Sequence, residues 1–230
     1  MPVQQFGVLL KSPQLLKRHL IKVNLIALGL AFLSMVFLDQ QLSVYFAIED
    51  VRAFAWQTAR TATDLALSEI YFGAALLIWI FTAWIAPRME GLKKYSAKLD
   101  FYRRWSLNLF AALIVSGIMT HLIKFTVGRQ RPHKSPDFDP FVFDPMTTHW
   151  HWHSFSSGHT QVIFTVATMM GVAFPRFRWV WLFVAGLICS TRIIIHDHFL
   201  SDTIYGACVG YMGTLLTLKL MMKKTKNGLY

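Results

Sequence analysis

The chain has 230 residues, of which 54% are hydrophobic and 15% are charged, and its mean hydropathy is +0.41. This composition excludes an ordinary soluble protein and predicts a single membrane-embedded domain over residues 1–230. The net charge of +11 does not indicate a nucleic-acid partner, because the basic residues fall in short clusters between apolar runs.

Six apolar stretches approach the roughly 20 residues that a helix needs to cross the hydrocarbon core. In chain order they run over Val23–Leu38, Leu65–Ala86, Trp105–Ile123, Thr160–Phe174, Trp179–Ile195 and Ser201–Leu220. The first follows a basic segment, as a signal peptide would, but it lacks a small-residue cleavage pattern and is predicted to be retained. The predicted fold is therefore all-α, a polytopic bundle of six transmembrane helices.

The distribution of Lys and Arg predicts how this bundle is oriented. With the N-terminus in the cytoplasm, 16 of the 23 basic residues fall in inner segments and 7 in outer segments, which agrees with the positive-inside rule. Both termini are then predicted to be cytoplasmic. Three polar patches interrupt the apolar chain, and all three map to the outer side.

The first patch follows the third span and runs from Lys124 to Pro132. Lys124 and Arg131 are seven residues apart, so a helical segment ended by Pro132 would place both cations on one stripe. Alone, the pair would suit cations that extend towards lipid headgroups.

The second patch, Phe155-Ser156-Ser157-Gly158-His159-Thr160, comes at the start of the fourth span. Unpaired N–H groups at a helix start form an anion site, and His159 can donate or accept a proton beside it. An ordinary N-cap by Ser156 or Ser157 is the alternative.

The third patch, from Arg192 to Asp202, precedes the sixth span. If that helix begins near His198, then His198 and Asp202 lie on one face, and the carboxylate can hold one ring nitrogen and orient the other. A structural ion pair between Asp202 and Arg192 is the alternative, because a carboxylate within a membrane helix is costly.

Together the patches contain the groups that phosphate-ester hydrolysis requires. His198 can attack as a nucleophile and His159 can protonate the leaving oxygen. The predicted phosphate-binding residues offer positive charge or N–H and O–H donors: Lys124, Arg131, Ser157, Gly158 and Arg192.

Lys-x6-Arg-Pro, then Ser-Gly-His, then Arg-x5-His-x3-Asp resembles the type 2 phosphatidic acid phosphatase superfamily, over about half of the chain. The resemblance implies a two-step hydrolysis that needs no metal or cofactor. His198 would accept the phosphoryl group, Asp202 would support it, and His159 would act as acid and then activate water. Two positions depart from the family motifs, Ser156 where Pro is usual and Thr191 where Ser is usual.

The expected function is therefore hydrolysis of a lipid phosphate at the outer, periplasmic face of a bacterial inner membrane. Candidate substrates implied by the family are undecaprenyl diphosphate, phosphatidylglycerol phosphate, phosphatidic acid and a lipid A phosphate. A lipid phosphotransferase with the same site and a non-catalytic lipid-binding or transport protein are the alternatives. The oligomeric state is left open.

One further pattern is His149-Trp-His151-Trp-His153, which could present three imidazoles on one side of an extended strand. The alternating Trp residues favour an interfacial anchor instead. We therefore expect no metal site.

Overall fold

The computed structural model of the protein describes residues 3–224, a range that is mostly helical and contains no β-strand. Short 3-10 segments join the helices, and a π-helical segment extends α5 to Ile85. The helices are α1 Val3–Lys11, α2 Pro13–Phe37, α3 Asp39–Ala47, α4 Glu49–Thr63, α5 Ser68–Ile80, α6 Ser96–Val127, α7 Gly158–Ala173, α8 Arg178–Ile194 and α9 Leu200–Lys224.

Five described segments are long and apolar enough to cross a membrane: Pro13–Phe37, Val51–Arg88, Glu90–Val127, Pro175–Ile194 and Leu200–Met222. They correspond to five of the six predicted spans, to within one residue at the end of two of them, so the all-α polytopic membrane fold is confirmed. The remaining predicted span corresponds to α7, which has 16 residues, and the count of six stays a prediction.

The first span begins at Pro13, well before the predicted Val23. The Ser12 side chain accepts a hydrogen bond from the Leu15 backbone N–H, and Pro13 occupies the first helical turn. Both are helix-starting features, because an N-cap oxygen satisfies an unpaired N–H and Pro has none to satisfy. The helix therefore includes the basic segment that precedes the apolar run.

Large apolar side chains cover the outer surface of the bundle. Leu25 on α2 is 63% exposed and Leu77 on α5 is 68% exposed. Extended apolar surface of this kind is rare on soluble monomers but ordinary where a helix faces lipid tails. This surface is consistent with a bundle surrounded by lipid.

Helix α9 packs closely against α6 and α7 through a row of glycines. A Cβ atom on Gly210 would lie 2.4 Å from the Gln161 carbonyl oxygen, and one on Gly213 would lie 2.6 Å from the Ser116 Cβ. Small residues permit such close approach of helix backbones in membranes. The N-termini of α7 and α9 are thereby held side by side.

Interhelical hydrogen bonds reinforce the same contacts. The Gln161 amide donates to the Ser116 hydroxyl at 2.6 Å, and that hydroxyl lies 3.0 Å from the Thr165 hydroxyl. All three side chains are buried. Polar side chains that satisfy one another across helices stabilise a membrane bundle, so α6 and α7 form a firm support for the residues at their ends.

Helix α6 ends earlier than predicted. Gly128 has φ +58°, its N–H donates to the Lys124 carbonyl, and a Cβ there would lie 1.8 Å from the Asp144 carbonyl oxygen. This left-handed glycine cap terminates the helix. The prediction that Lys124 and Arg131 share a helical stripe ended by Pro132 is therefore wrong, and Arg131 lies in the following loop.

The residues between the first two predicted spans, 39–64, fold into α3 and α4, and most of α4 belongs to the second observed span. Asp39, at the start of α3, is fully buried and accepts a hydrogen bond from the Ser34 hydroxyl. Helix α4 packs against α8. This segment therefore covers the end of the bundle at which the three polar patches lie.

Candidate active site

The three predicted patches converge at one end of the bundle, where α6 and α8 end and α7 and α9 begin. The Ser157 backbone N–H donates to the Asp202 carbonyl at 3.0 Å, which joins the second patch to the third. The Arg131 side chain lies 3.9 Å from the Asp197 carboxylate, which joins the first patch to the third. Residues far apart in sequence therefore form one polar site.

Two arginines of this site share one carboxylate. Arg192 donates to an Asp197 carboxylate oxygen at 2.5 Å and to the Thr63 hydroxyl at 2.8 Å. The Arg131 guanidinium approaches the other Asp197 oxygen and lies over the Trp150 ring, 4.8 Å from its centroid. The Nε of Arg192 is buried without a hydrogen-bond partner among the described residues, so it is a donor available to an anion.

Lys124 extends beside the start of α7. Its ammonium group is buried and donates to the His153 carbonyl at 2.5 Å. Its Cε lies 3.9 Å from the position that a Cβ on Gly158 would occupy. The lysine charge therefore adds to the positive end of the α7 dipole, and the two together favour an anion.

Ser157 is the N-cap of α7, as one reading of the sequence predicted. Its hydroxyl accepts from the Thr160 N–H at 3.4 Å and lies 3.0 Å from the Thr160 hydroxyl. His159 follows on the first turn of α7 and is partly exposed. Its side chain makes no hydrogen bond to another described residue. Its imidazole is thus free to meet a ligand.

His198 is the most enclosed imidazole of the site, with 2% of its surface exposed. Burial, followed by the charges of Lys124, Arg131 and Arg192, lowers the pKa of His198 well below its ordinary value of 6.5. The ring is therefore neutral at neutral pH. An unprotonated imidazole surrounded by cations is a suitable nucleophile for an anionic substrate.

The predicted hydrogen bond between His198 and Asp202 is not formed at this separation. The Nδ1 of His198 lies 3.7 Å from an Asp202 oxygen and has no hydrogen-bond partner among the described residues. That oxygen already accepts from the Ser154 hydroxyl at 2.6 Å and from the Phe199 N–H at 2.8 Å. Asp202 thus faces the ring as a fixed negative charge.

The other Asp202 oxygen accepts from Arg129 at 2.6 Å, so Arg129 and not Arg192 is its ion-pair partner. Arg129 also donates to Asp39 at 2.9 Å and to the Ser201 hydroxyl at 2.6 Å. The side chains of Arg129, Asp39 and Asp202 are all fully buried. We call these three residues the Arg129 cluster.

The sequence analysis missed Arg129, Asp39 and Ser154 as parts of the site. Arg129 is one of the seven basic residues in the predicted outer segments, and Asp39 follows directly after the first predicted span. One signal was available, because an ionisable residue at the edge of a membrane span is usually paired or functional. Nothing in the order of the residues indicates that Arg129 and Asp39 pair with each other.

The His149–His153 segment is not extended. It forms a 3-10 turn over Trp150–Trp152, and the His153 ring bonds to the Thr147 carbonyl. The interpretation as a strand that presents three imidazoles is therefore wrong. Trp150 lies instead beneath the Arg131 guanidinium.

The sequence profile of the PAP2 superfamily matches residues 105–226. A lipid A 1-phosphatase from Rhizobium etli is 29% identical over 166 residues, which cover 69% of this chain and 72% of that protein. A lipid A 1-phosphatase from Rhizobium johnstonii is 33% identical over 159 residues, which cover 66% of this chain and 65% of that protein.

A solved structure has a similar fold. It is the crystal structure of a transmembrane PAP2 type phosphatidylglycerolphosphate phosphatase from Bacillus subtilis. The TM-score is 0.59 at 16% sequence identity, and the match covers 90% of this chain and 98% of that chain.

Proposed function

We propose that this protein hydrolyses a lipid phosphate through a phosphohistidine on His198. The chain belongs to the PAP2 superfamily and is a membrane-embedded phosphatase. The observation that carries the proposal is the buried, neutral imidazole of His198 among Lys124, Arg131 and Arg192. These cations would hold the phosphoryl oxygens and neutralise charge that develops in the transition state.

The first chemical step would form a bond between phosphorus and the Nε2 of His198. The Nδ1 faces Asp202, which leaves Nε2 as the attacking atom. As the ring loses electron density it becomes positively charged, and Asp202 stabilises that charge. With both carboxylates ionised, the Arg129 cluster carries one net negative charge, which balances the charge on the ring.

Phosphate binding would rearrange the contacts of Asp197. Arg131 and Arg192 both contact the Asp197 carboxylate, and a phosphate placed between them competes for the same donors. The unpaired Nε of Arg192 provides one further N–H. Planar guanidinium groups suit this exchange because they bind carboxylate and phosphate in the same bidentate manner.

His159 would serve both halves of the reaction. Desolvation and the charge of Arg192 lower the pKa of His159 to about 4, and the negative charge of a bound phosphate would raise it, so that the ring takes up a proton from solvent when the substrate binds. It then gives that proton to the lipid oxygen as the bond between that oxygen and phosphorus breaks, and it later removes a proton from the water that attacks phosphohistidine. The products are the dephosphorylated lipid, inorganic phosphate and free His198. His159 is partly exposed on the first turn of α7, and its side chain makes no hydrogen bond to another described residue, which supports this assignment.

The preferred substrate is proposed to be a lipid A-type molecule bearing a 1-phosphate, because two curated relatives carry that activity in their names. The site would then face the periplasm and act on the outer leaflet of a bacterial inner membrane. Phosphatidylglycerol phosphate, phosphatidic acid and undecaprenyl diphosphate are the competing substrates.

The test is phosphate release by the purified protein in detergent with EDTA, from each of these four lipids. We expect release that is greatest for lipid A 1-phosphate and that disappears in His198→Ala. His19→Ala is the matched control, since the His19 ring contacts Tyr211, about three turns along α9 from the site. Equal activity of His198→Ala and wild type would overturn the mechanism, and phosphate found on a second lipid would identify a phosphotransferase.

A further inference from the structure

An apolar cavity of about 380 Å³ lies within the bundle among α5, α6, α7 and α8. Its outer end is formed by Leu65, Ile163 and Ile188, and its inner end reaches Trp105 and Met170. The catalytic chemistry described above uses none of these residues. We refer to this cavity as the lateral groove.

The α7 wall of the groove continues the helix face that carries His159. Ile163, Val166 and Met170 line it, and they follow His159 by four, seven and eleven residues. Residues at these spacings lie on one helical face. The groove wall therefore begins one turn below the imidazole that would protonate the leaving oxygen.

The α8 wall has the same relationship to Arg192. Ile188, Ala185 and Trp181 line the groove, and they precede Arg192 by four, seven and eleven residues. The α7 face that carries His159 and the α8 face that carries Arg192 thus continue, one turn further into the membrane, as the two apolar walls of the groove. The outermost groove residues of the two walls, Ile163 and Ile188, therefore lie about one helical turn from His159 and Arg192.

The groove opens towards the lipid between α5 and α8. Ala74 of α5 and Val184 of α8 both line it, and both are exposed, Val184 by 41%. The Tyr71 hydroxyl donates to the Leu65 carbonyl and the Trp105 indole donates to the Met169 carbonyl. These two aromatic residues therefore present apolar ring surface to the cavity.

We propose that the lateral groove holds one hydrocarbon chain of the lipid whose phosphate is hydrolysed, an inference that rests on the proposed function. From Ile163 to Met170 the α7 wall rises about 10 Å, which compares with the roughly 15 Å depth of one leaflet. If the leaving oxygen of the lipid lies beside His159, the hydrocarbon chain of that lipid would begin near Ile163 and extend towards the middle of the membrane.

The groove would act by orienting the bound lipid. A chain that leaves the bilayer for the groove exchanges one apolar environment for another, so it gains little from the hydrophobic effect. It gains packing contacts and a fixed direction, which hold the phosphate in position for attack. Filling the groove should therefore lower kcat/KM for long-chain substrates and leave short-chain substrates unaffected.

The experiment compares tryptophan substitutions inside and outside the groove, with hexadecyl phosphate and butyl phosphate as substrates. Ala74→Trp fills the groove from α5, and Val184→Trp fills it from α8. Leu77→Trp and Phe183→Trp introduce the same side chain on the same helices, at positions 68% and 67% exposed that do not line the cavity.

We expect Ala74→Trp and Val184→Trp to lower kcat/KM for hexadecyl phosphate about tenfold, equivalent to about 1.4 kcal/mol, with butyl phosphate changed by less than about twofold. Both controls should behave as wild type. An equal loss of kcat/KM for the two substrates, or no loss for either, would overturn the proposal that the groove holds a hydrocarbon chain. Neither result would contradict the phosphatase mechanism. Failure of wild type on every phosphate would instead refute the proposed function.

A binding measurement does not depend on turnover. Hexadecyl phosphate with a photoreactive diazirine near the chain end should label groove residues of α7 or α8, and unlabelled hexadecyl phosphate should suppress the labelling. Ala74→Trp should lose this labelling and Leu77→Trp should keep it. Labelling that is confined to the outer lipid-facing surface, or unchanged in Ala74→Trp, would contradict the proposal.

Discussion

Replacing Arg129 with methionine removes the guanidinium that joins Asp39 to Asp202. Arg129→Met keeps a long side chain but removes the hydrogen bond that Asp39 accepts from Arg129 at 2.9 Å and the one that Asp202 accepts at 2.6 Å. All three side chains are fully buried, so water cannot substitute for the lost donors. Removing one partner of a buried ion pair costs about 3–5 kcal/mol.

A double variant separates the charge effect from the loss of packing. In Asp39→Asn/Arg129→Met one of the two carboxylates is neutralised, so part of the lost stability should return. Residues in one network typically show coupling energies of about 0.5–3 kcal/mol. Asp202 would still accept from Ser154 and Phe199.

The assay is thermal unfolding in detergent, followed by tryptophan fluorescence, with phosphate release measured on the same samples. Arg129→Met should unfold at a clearly lower temperature than wild type and lose most activity, and the double variant should unfold between them. Arg52→Met, at an exposed arginine, is the control and should match wild type. Wild-type stability and activity in Arg129→Met would refute the role of the Arg129 cluster.

Three further predictions follow from the contacts described above. Gly210→Leu places a side chain against the Gln161 carbonyl, 2.4 Å from the position of Cβ, and should cost about 1–3 kcal/mol or more in thermal unfolding. Arg192→Lys loses the planar contact to Asp197 and should lower kcat/KM for phosphate release about 10²-fold. The lowered pKa of His198 means that the unfolded chain binds more protons below pH 6.5. Stability should therefore fall as the pH drops below that value, and less so in His198→Gln.

Each of these has a matched comparison. Gly186→Leu, where nothing lies within 4 Å of a Cβ, should unfold like wild type, and equal effects at Gly210 and Gly186 would count against the helix contact. Arg176→Lys, at an exposed arginine, should keep full activity. An identical loss of stability at acid pH in wild type and His198→Gln would show that His198 does not contribute to it.

The membrane fold and the main site residues could be predicted because their signals are local. Apolar runs specify the membrane spans. Short spacings along the chain place the polar side chains near the starts of two helices, with Ser157, Gly158 and His159 at α7 and the segment from Arg192 to Asp202 at α9. The end of α6 was mispredicted because Gly128 adopts a left-handed conformation against Asp144, a contact that depends on how the following loop folds.

The Arg129 cluster could not be predicted for a related reason. Asp39 and Arg129 are 90 residues apart and meet only when α3 folds over the end of the bundle. The same folding determines that Asp202 pairs with Arg129, while Arg192 pairs with Asp197. Pairing among several buried charges is a property of the packed structure, because the order of these residues along the chain does not determine which of them meet.

The most direct test of the mechanism is to trap the phosphorylated enzyme. A substrate with a labelled phosphate is mixed with the protein, the reaction is stopped in alkali to preserve phosphohistidine, and the modified peptide is identified by mass spectrometry. We predict a phosphate on His198. With 4-nitrophenyl phosphate, whose leaving group needs no protonation, this phosphate should accumulate in His159→Ala, because only the attack by water is slowed. A labelled lipid that is hydrolysed at the wild-type rate by His198→Ala, or a phosphate found on another residue, would contradict the mechanism.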